Sequence, residues 1–239
     1  MGKIFDARFM LDILPAIAGG VPNTLLIAVV AFAAGSVIGF AGAMGKIYRI
    51  PVLRQITAAY VSFIRGTPLI VQILLIYYGI PILIRMVNQR WGTDFDVSRV
   101  PAIVFMLAAF SINAGAYLTE SIRAAILAVD KGQLEAAYSI GMSTAQAMRR
   151  IILPQAVRVG LPVFANFFLG LMKDTSLAFA ASVSEIMGQA KIEAGRASRF
   201  FEAYIDAALV YWVLCLIVER LMAFLEKRSR RDEKEERHD

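Results

Sequence analysis

Residues 13–45 read ILPAIAGGVPNTLLIAVVAFAAGSVIGFAGAMG, 33 consecutive positions without an ionisable side chain. A helix crosses the hydrocarbon core of a bilayer in about 20 residues. The stretch therefore holds one span with residues to spare, and we place it at 21–44. It is too long for the apolar core of a signal peptide, and Asp6 and Asp12 dilute the positive flank that such a peptide needs.

Four further windows follow from the spacing of charges. Residues 66–84 give 19 positions and residues 100–119 give 20, in both cases without a charge. They predict spans two (66–84) and three (100–121). Residues 159–172 are charge-free, Lys173 and Asp174 follow, and ten more uncharged residues lead to Ser184. Taken together, 159–184 predicts a fourth span, kinked or broken at the charged pair. Residues 203–221 predict a fifth, with Asp206 and Glu219 near its ends. The fold expected is an all-α integral membrane domain over 1–225 with five transmembrane helices. Between spans one and two, Leu53, Ile56, Tyr60, Phe63 and Ile64 recur every three to four positions. Two readings stay open there: a helix lying in the interface, or an extension of span two. The charged tail 226–239 is expected to fray into water.

Composition agrees with a bilayer as solvent. Of 239 residues, 58% are hydrophobic and 18% charged, and the mean hydropathy is +0.62. A soluble domain is about 45–50% apolar and about 25% charged. Cys215 is the single cysteine and His238 the single histidine. A disulfide framework, a thiolate metal site, a histidine triad and a multi-histidine metal site are thereby excluded. G-x-x-x-x-G-K-[ST], H-E-x-x-H and G-x-S-x-G do not occur. The chain is not an enzyme by any motif it carries, and it does not hold ATP in a P-loop.

With the N-terminus outside, the inner segments carry 16 Lys and Arg and the outer segments nine. Positive residues favour the cytoplasmic side, which predicts N-out, C-in. The net charge of +6 is then a matter of topology, and no nucleic-acid partner is implied.

The longest inner segment is SIRAAILAVDKGQLEAAYSIGMSTAQAMRRIILPQAVR, residues 121–158. It predicts two short helices and a turn. Glu135, Ala136 and Ala137 favour helix, and Gly141 turns the chain. Ser143 or Thr144 caps the second helix. Pro154 stops that helix or sets its exit angle. Tethered between spans, such a hairpin suits docking to another protein.

Glu135-Ala136-Ala137, then Gly141 after three residues, then Ile151, Leu153 and Pro154 after nine more, resembles the EAA loop of ABC-importer permease subunits over 130–155. Residues 65–72 (RGTPLIVQ), 113–120 (NAGAYLTE) with Arg123, and 173–177 (KDTSL) are similar to the branch of that family that imports polar amino acids. The resemblance covers most of the chain. It implies the type I importer transmembrane domain in a bacterial inner membrane. It implies a second permease subunit (homodimer or heterodimer), ATPase subunits that hold ATP and magnesium, an external solute-binding protein and an amino acid substrate. On this resemblance Glu135, Ala136, Ala137, Gly141, Ile151, Leu153 and Pro154 couple to the ATPase. Arg149 and Arg150 either pair with acids on it or are merely solvated.

Ionisable and polar groups inside spans mark the pathway candidates. Asn113, Tyr117 and Glu120 share one helix face at i, i+4 and i+7. Glu120 serves a gate or substrate, or pairs locally with Arg123. Gln72 lines the pathway or bonds a neighbouring helix. A break at Asp174, Thr175 and Ser176 would expose a helix N-terminus, a ready carboxylate site. Lys173 and Asp174 thus either form the substrate or gate region or pair across a subunit interface. Glu185, Glu193 and Arg196, with Gly188 and Gly195, either receive the binding protein or are solvated. Two rival functions stay open: a stand-alone secondary transporter or channel, and an ABC permease for another small solute.

Overall fold

The computed structural model describes residues 5–236. Among them the chain is helical throughout apart from its connections, with no strand. Ten helices follow in order: α1 (Ala7–Ala18), α2 (Val21–Ile47), α3 (Pro51–Gly66), α4 (Leu69–Trp91), α5 (Ala102–Leu127), α6 (Lys131–Ser139), α7 (Thr144–Ala147), α8 (Leu153–Asp174), α9 (Ile186–Ala197) and α10 (Phe200–Glu236). Five helical stretches are long and apolar enough to cross a membrane: Ala7–Ile47, Leu69–Trp91, Ala102–Leu127, Thr144–Ala181 and Phe200–Arg228. The five expected spans lie within them or overlap them closely, though every stretch is longer than expected.

The bundle is centred on α2 and α5. Gly35, Gly39 and Gly42 run down the buried side of α2, where an added Cβ would stand 2.6 Å from the Ala114 Cβ, 2.9 Å from Leu118 and 2.8 Å from the Thr119 hydroxyl. Lipid offers no hydrophobic drive for helices to associate, so close contact between small residues supplies the packing. The Gly35-x-x-x-Gly39 spacing sets this contact, and α4, α8 and α3 pack around it. A core of Ile27, Ile73, Phe105, Met106 and Phe110 fills the space between α2, α4 and α5. A second core joins Ile13 and Ile17 of α1 to Ile186 and Ala190 of α9 and to Ala203 and Ala207 of α10. Large apolar residues such as Val37, Leu75, Tyr78, Ile82, Trp212 and Ile217 stay exposed. In water they would form aggregating patches; in a bilayer they meet acyl chains.

The structure decides between readings left open for two segments and describes part of a third. The segment after span one is a separate helix, α3, bounded by Pro51 and by Thr67 in an extended conformation. Its buried residues are Thr57, Val61 and Ile64, whereas Ile56 and Phe63 are exposed. The apolar stripe read from the sequence thus faces outward in part, while the small polar Thr57 fits against Gly42. Second, Pro154 does not end the helix that begins at Thr144. Residues Met148–Ile152 form a π turn that runs straight into α8. The wider turn makes room for the proline ring and needs no N–H at that position. Third, α10 runs on from the last span into the charged tail, to Glu236. Its 37 residues extend about 55 Å, well beyond a hydrocarbon core of about 30 Å.

Candidate functional site

Three clusters of polar groups within the spans hold the pathway candidates.

Gln72 sits one turn into α4. Its amide donates to the carbonyls of Ile64 (2.8 Å) and Thr67 (3.0 Å) and meets the Thr67 hydroxyl at 2.9 Å. Its oxygen accepts from the Asn113 amide at 2.9 Å. Both side chains are buried. Gln72 therefore binds the α3–α4 corner to α5. The neighbouring-helix alternative accounts for the bonds of Gln72.

Glu120 lies between two cations. It accepts from Lys46 of α2 and, at 3.0 Å, from Arg123 one turn along α5. The expected Arg123 pair is present, and Lys46 is a partner that sequence spacing could not reveal. Tyr117 shares the Glu120 side of α5 but is exposed and stacks on Phe167 of α8, ring centroids 6.0 Å apart. The Arg65 guanidinium lies 5.4 Å from the centre of the Tyr117 ring. Arg65, Tyr117 and Phe167 thus form a cationic and aromatic ledge joining α3, α5 and α8.

The third cluster is on α8. Asn166, Lys173 and Asp174 are exposed, and no ion pair within 4 Å gives either charge a partner among the described residues. Asn166, Gly170, Lys173 and Asp174, at i, i+4, i+7 and i+8, occupy one face. An added Cβ at Gly170 would meet nothing. Asn166 was not singled out from the sequence; a lone amide one to two turns before a charged pair was the available signal. The expected break at Asp174 is not an unwound one. α8 tightens into a 3-10 helix over Thr175–Ala181, and the buried Thr175 hydroxyl donates to the Met172 carbonyl at 2.7 Å. Ser176 is half-buried beside it. No helix N-terminus opens there, because the chain keeps its direction and each N–H finds a carbonyl one turn back.

The next free N-terminus, that of α9, is already filled. Glu185 caps it, accepting from the N–H groups of Met187 (2.9 Å) and Gly188 (2.7 Å) and from the Tyr211 hydroxyl (2.7 Å). Glu185 is completely buried. Burial pushes its carboxyl above the ordinary glutamate value, against the pull of those hydrogen bonds. It is not a surface residue awaiting a binding protein. Glu193 and Arg196 pair with each other at 2.6 Å on the exposed side of α9. Gly188 is packed against the Val183 carbonyl, and Gly195 is open.

A groove of about 450 Å³ between α2, α5 and α8 is lined by Phe32, Phe40, Leu118, Ile122, Ala156 and Phe164 among others. Ser36, its hydroxyl-bearing member, already donates to the Phe32 carbonyl. A charged solute would be stripped of its hydration there without compensation, so this groove is not a polar site.

At the other end of α8 stands the hairpin read from the sequence. Asp130 caps α6 through the Gly132 N–H, and Gly141 takes the left-handed conformation at φ 79°, which glycine adopts without strain. Ser143 and Gln146 form a reciprocal capping box at the start of α7. Ala137 and Ala147 are buried where the two limbs meet. Glu135, Ala136, Tyr138 and Ile140 face outward, as do Arg149 and Arg150, while Ile151 and Leu153 are half-buried and Pro154 is exposed. Beneath the hairpin, Ile126, Val129, Ile152 and Ala156 form a separate core that fixes it to α5 and α8. The sequence-predicted coupling residues are thus brought together, but the pathway candidates Gln72 and Asn113 are not part of the open face.

Residues 35–231 match the family of binding-protein-dependent transport system inner membrane components. The chain is 40% identical over 222 residues to the probable amino-acid ABC transporter permease protein PatM of Vibrio harveyi, covering 93% of this chain and 95% of that one. It is 36% identical over 233 residues to the L-cystine transport system permease protein TcyL of Bacillus subtilis, covering 98% and 95%. Among solved structures, one described as an amino acid ABC transporter with histidines superposes with a TM-score of 0.79 at 34% identity, covering 95% of this chain and all of that one. An inward-facing MetNI methionine ABC transporter shares the fold, with a TM-score of 0.69 at 16% identity. This chain belongs to the family of inner membrane components of binding-protein-dependent transport systems, as a multi-pass membrane protein of the ABC permease type.

Proposed function

We propose that this chain is the permease subunit of an ATP-driven importer for polar amino acids. It lies N-out, C-in and forms half of the pathway with a second permease subunit. The observation that carries the coupling role is the hairpin: Glu135, Ala136, Tyr138 and Ile140 present one exposed face, and the cores under Ala137 and Ile152 tie that face rigidly to α8. Two ATPase subunits, which hold ATP and magnesium, dock there, and their closure turns the hairpin. Because α7, the π turn and α8 are one continuous rod, that rotation reaches the open face of Asn166, Lys173 and Asp174. A solute-binding protein delivers the amino acid at the α9 end. The carboxylate and ammonium of such a solute suit a face bearing Lys173, Asp174 and the Arg65–Tyr117 ledge. The names of the relatives and the RGTPLIVQ, NAGAYLTE and KDTSL stretches support amino acids as cargo.

The test is reconstitution of the full chain with its ATPase and binding protein in proteoliposomes. Glu135→Arg is expected to leave the chain folded and inserted but to abolish transport and its stimulation of ATP hydrolysis. Transport at the wild-type rate would sink the coupling assignment.

A further inference from the structure

Lys173 and Asp174 stand near the middle of the apolar stretch 159–184. Both are exposed, and no ion pair within 4 Å joins either to an opposite charge among the described residues; they feel each other only at longer range. Being adjacent on a helix, they point about 100° apart and do not satisfy each other. Ionisable groups at this depth are not left against lipid; they pair or line water. Three properties of the face point to what covers it. It carries one positive and one negative group side by side. A two-fold axis brings residue i of one copy to residue j of the other, and j to i, so a plus–minus pair is complementary to itself. Gly170, one turn before, leaves open space for the backbone of a neighbouring helix to come close. Asn166, a further turn back, is exposed with no hydrogen-bond partner recorded for it.

We propose that Lys173 and Asp174 of one copy pair with Asp174 and Lys173 of a second copy of this chain across a two-fold axis near the bilayer midplane. This double ion pair is the closed gate of the pathway. The inference rests on the permease reading and deepens it: the gate is shared, and neither copy closes it alone. Rotation of α8, transmitted through the π turn from the hairpin, draws the two pairs apart. A solute with both a carboxylate and an ammonium offers each freed charge a replacement partner at that moment.

Two charge variants test it in the intact complex. Lys173→Asp leaves two acids on every copy, and Asp174→Lys leaves two bases. Each alone is expected to lose roughly tenfold or more of wild-type transport, because a partly buried charge is left without its partner. When the two variants are expressed together, a mixed dimer regains both pairs, acid on one copy against base on the other. Random mixing makes about half of the dimers mixed, so transport is expected to return to about half of wild type. No recovery on co-expression overturns the proposal, as does full transport by either variant alone. Should the variants insert poorly, Lys173→Cys/Asp174→Cys in a Cys215→Ser background serves instead. A short thiol-to-thiol cross-linker is expected to join two copies of this chain. Monomer alone, or linkage to a different membrane subunit, overturns it. Absence of transport by the unaltered complex would count against the permease reading itself, and the cross-link reports on the gate independently of that.

Discussion

Polar residues within the spans divide by what remains of their bonding capacity. Gln72 is saturated: every proton of its amide points at an oxygen of the α3–α4 corner, and its oxygen accepts from the Asn113 amide. Gln72→Leu leaves the Asn113 amide and the Ile64 carbonyl buried without partners, at about 1–3 kcal/mol each. A lower melting temperature in detergent, with Gln72→Leu/Asn113→Leu costing less than the two single changes added together, is the expected outcome. Lys173, Asp174 and Asn166 keep their capacity unused, which is why they carry the functional argument. Asp206 is the exception among the buried acids. It is 2% exposed, and its Oδ2 has no hydrogen-bond partner among the described residues. Asp206→Asn replaces a buried carboxyl that lacks a full set of hydrogen bonds and is expected to raise the melting temperature of the purified chain.

At the scale of elements, two devices explain how helices rich in alanine and glycine hold together and move. The first is the contact of α2 with α5 through Gly35, Gly39 and Gly42. Gly39→Leu sets a branched side chain against the Leu118 backbone, where even a Cβ would approach to 2.9 Å. Overpacking of this kind costs about 1–3 kcal/mol or more. The expected result is loss of folded protein in size-exclusion chromatography, with Ser36→Leu on the neighbouring face tolerated better. The second device is the π turn at Met148–Ile152. It joins the hairpin to α8 without a break, so a rotation begun at Glu135 is not absorbed by a loop on its way to Asp174.

For the whole molecule, the arrangement of charge and apolar surface describes a body turned outside in. Its large apolar residues face lipid, and its closest contacts are made by small ones. The excess of Lys and Arg on the α6 end predicts that this end is cytoplasmic. A Tyr138→Cys variant in a Cys215→Ser background is expected to react with a membrane-impermeant maleimide in inside-out vesicles and to resist it in intact spheroplasts. The reverse pattern would invert the topology.

Five spans, the hairpin and its capping were legible from residue spacing, because each depends on neighbours within a turn or two. Charge-free runs mark where a helix can lie in hydrocarbon, Gly141 marks where a left-handed turn is cheap, and Ser143 or Thr144 marks a cap. Whether α3 was an interfacial helix or an extension of span two stayed open in the sequence, because an apolar period of three to four suits both; the extended Thr67 that separates it from α4 decided the matter. The Lys46 partner of Glu120, the Asn113 partner of Gln72 and the burial of Glu185 against Tyr211 were beyond reach, since these residues lie tens of positions away in sequence. By itself the sequence determined that this is a membrane protein of five spans with a hairpin between the third and fourth, because those features are written in local composition and spacing, and its resemblance to the EAA loop added the permease reading. Only the tertiary structure decided which polar groups are used up inside the bundle and which remain open on α8, because that depends on which distant side chains the packing of α2, α5, α8 and α10 brings within hydrogen-bond reach.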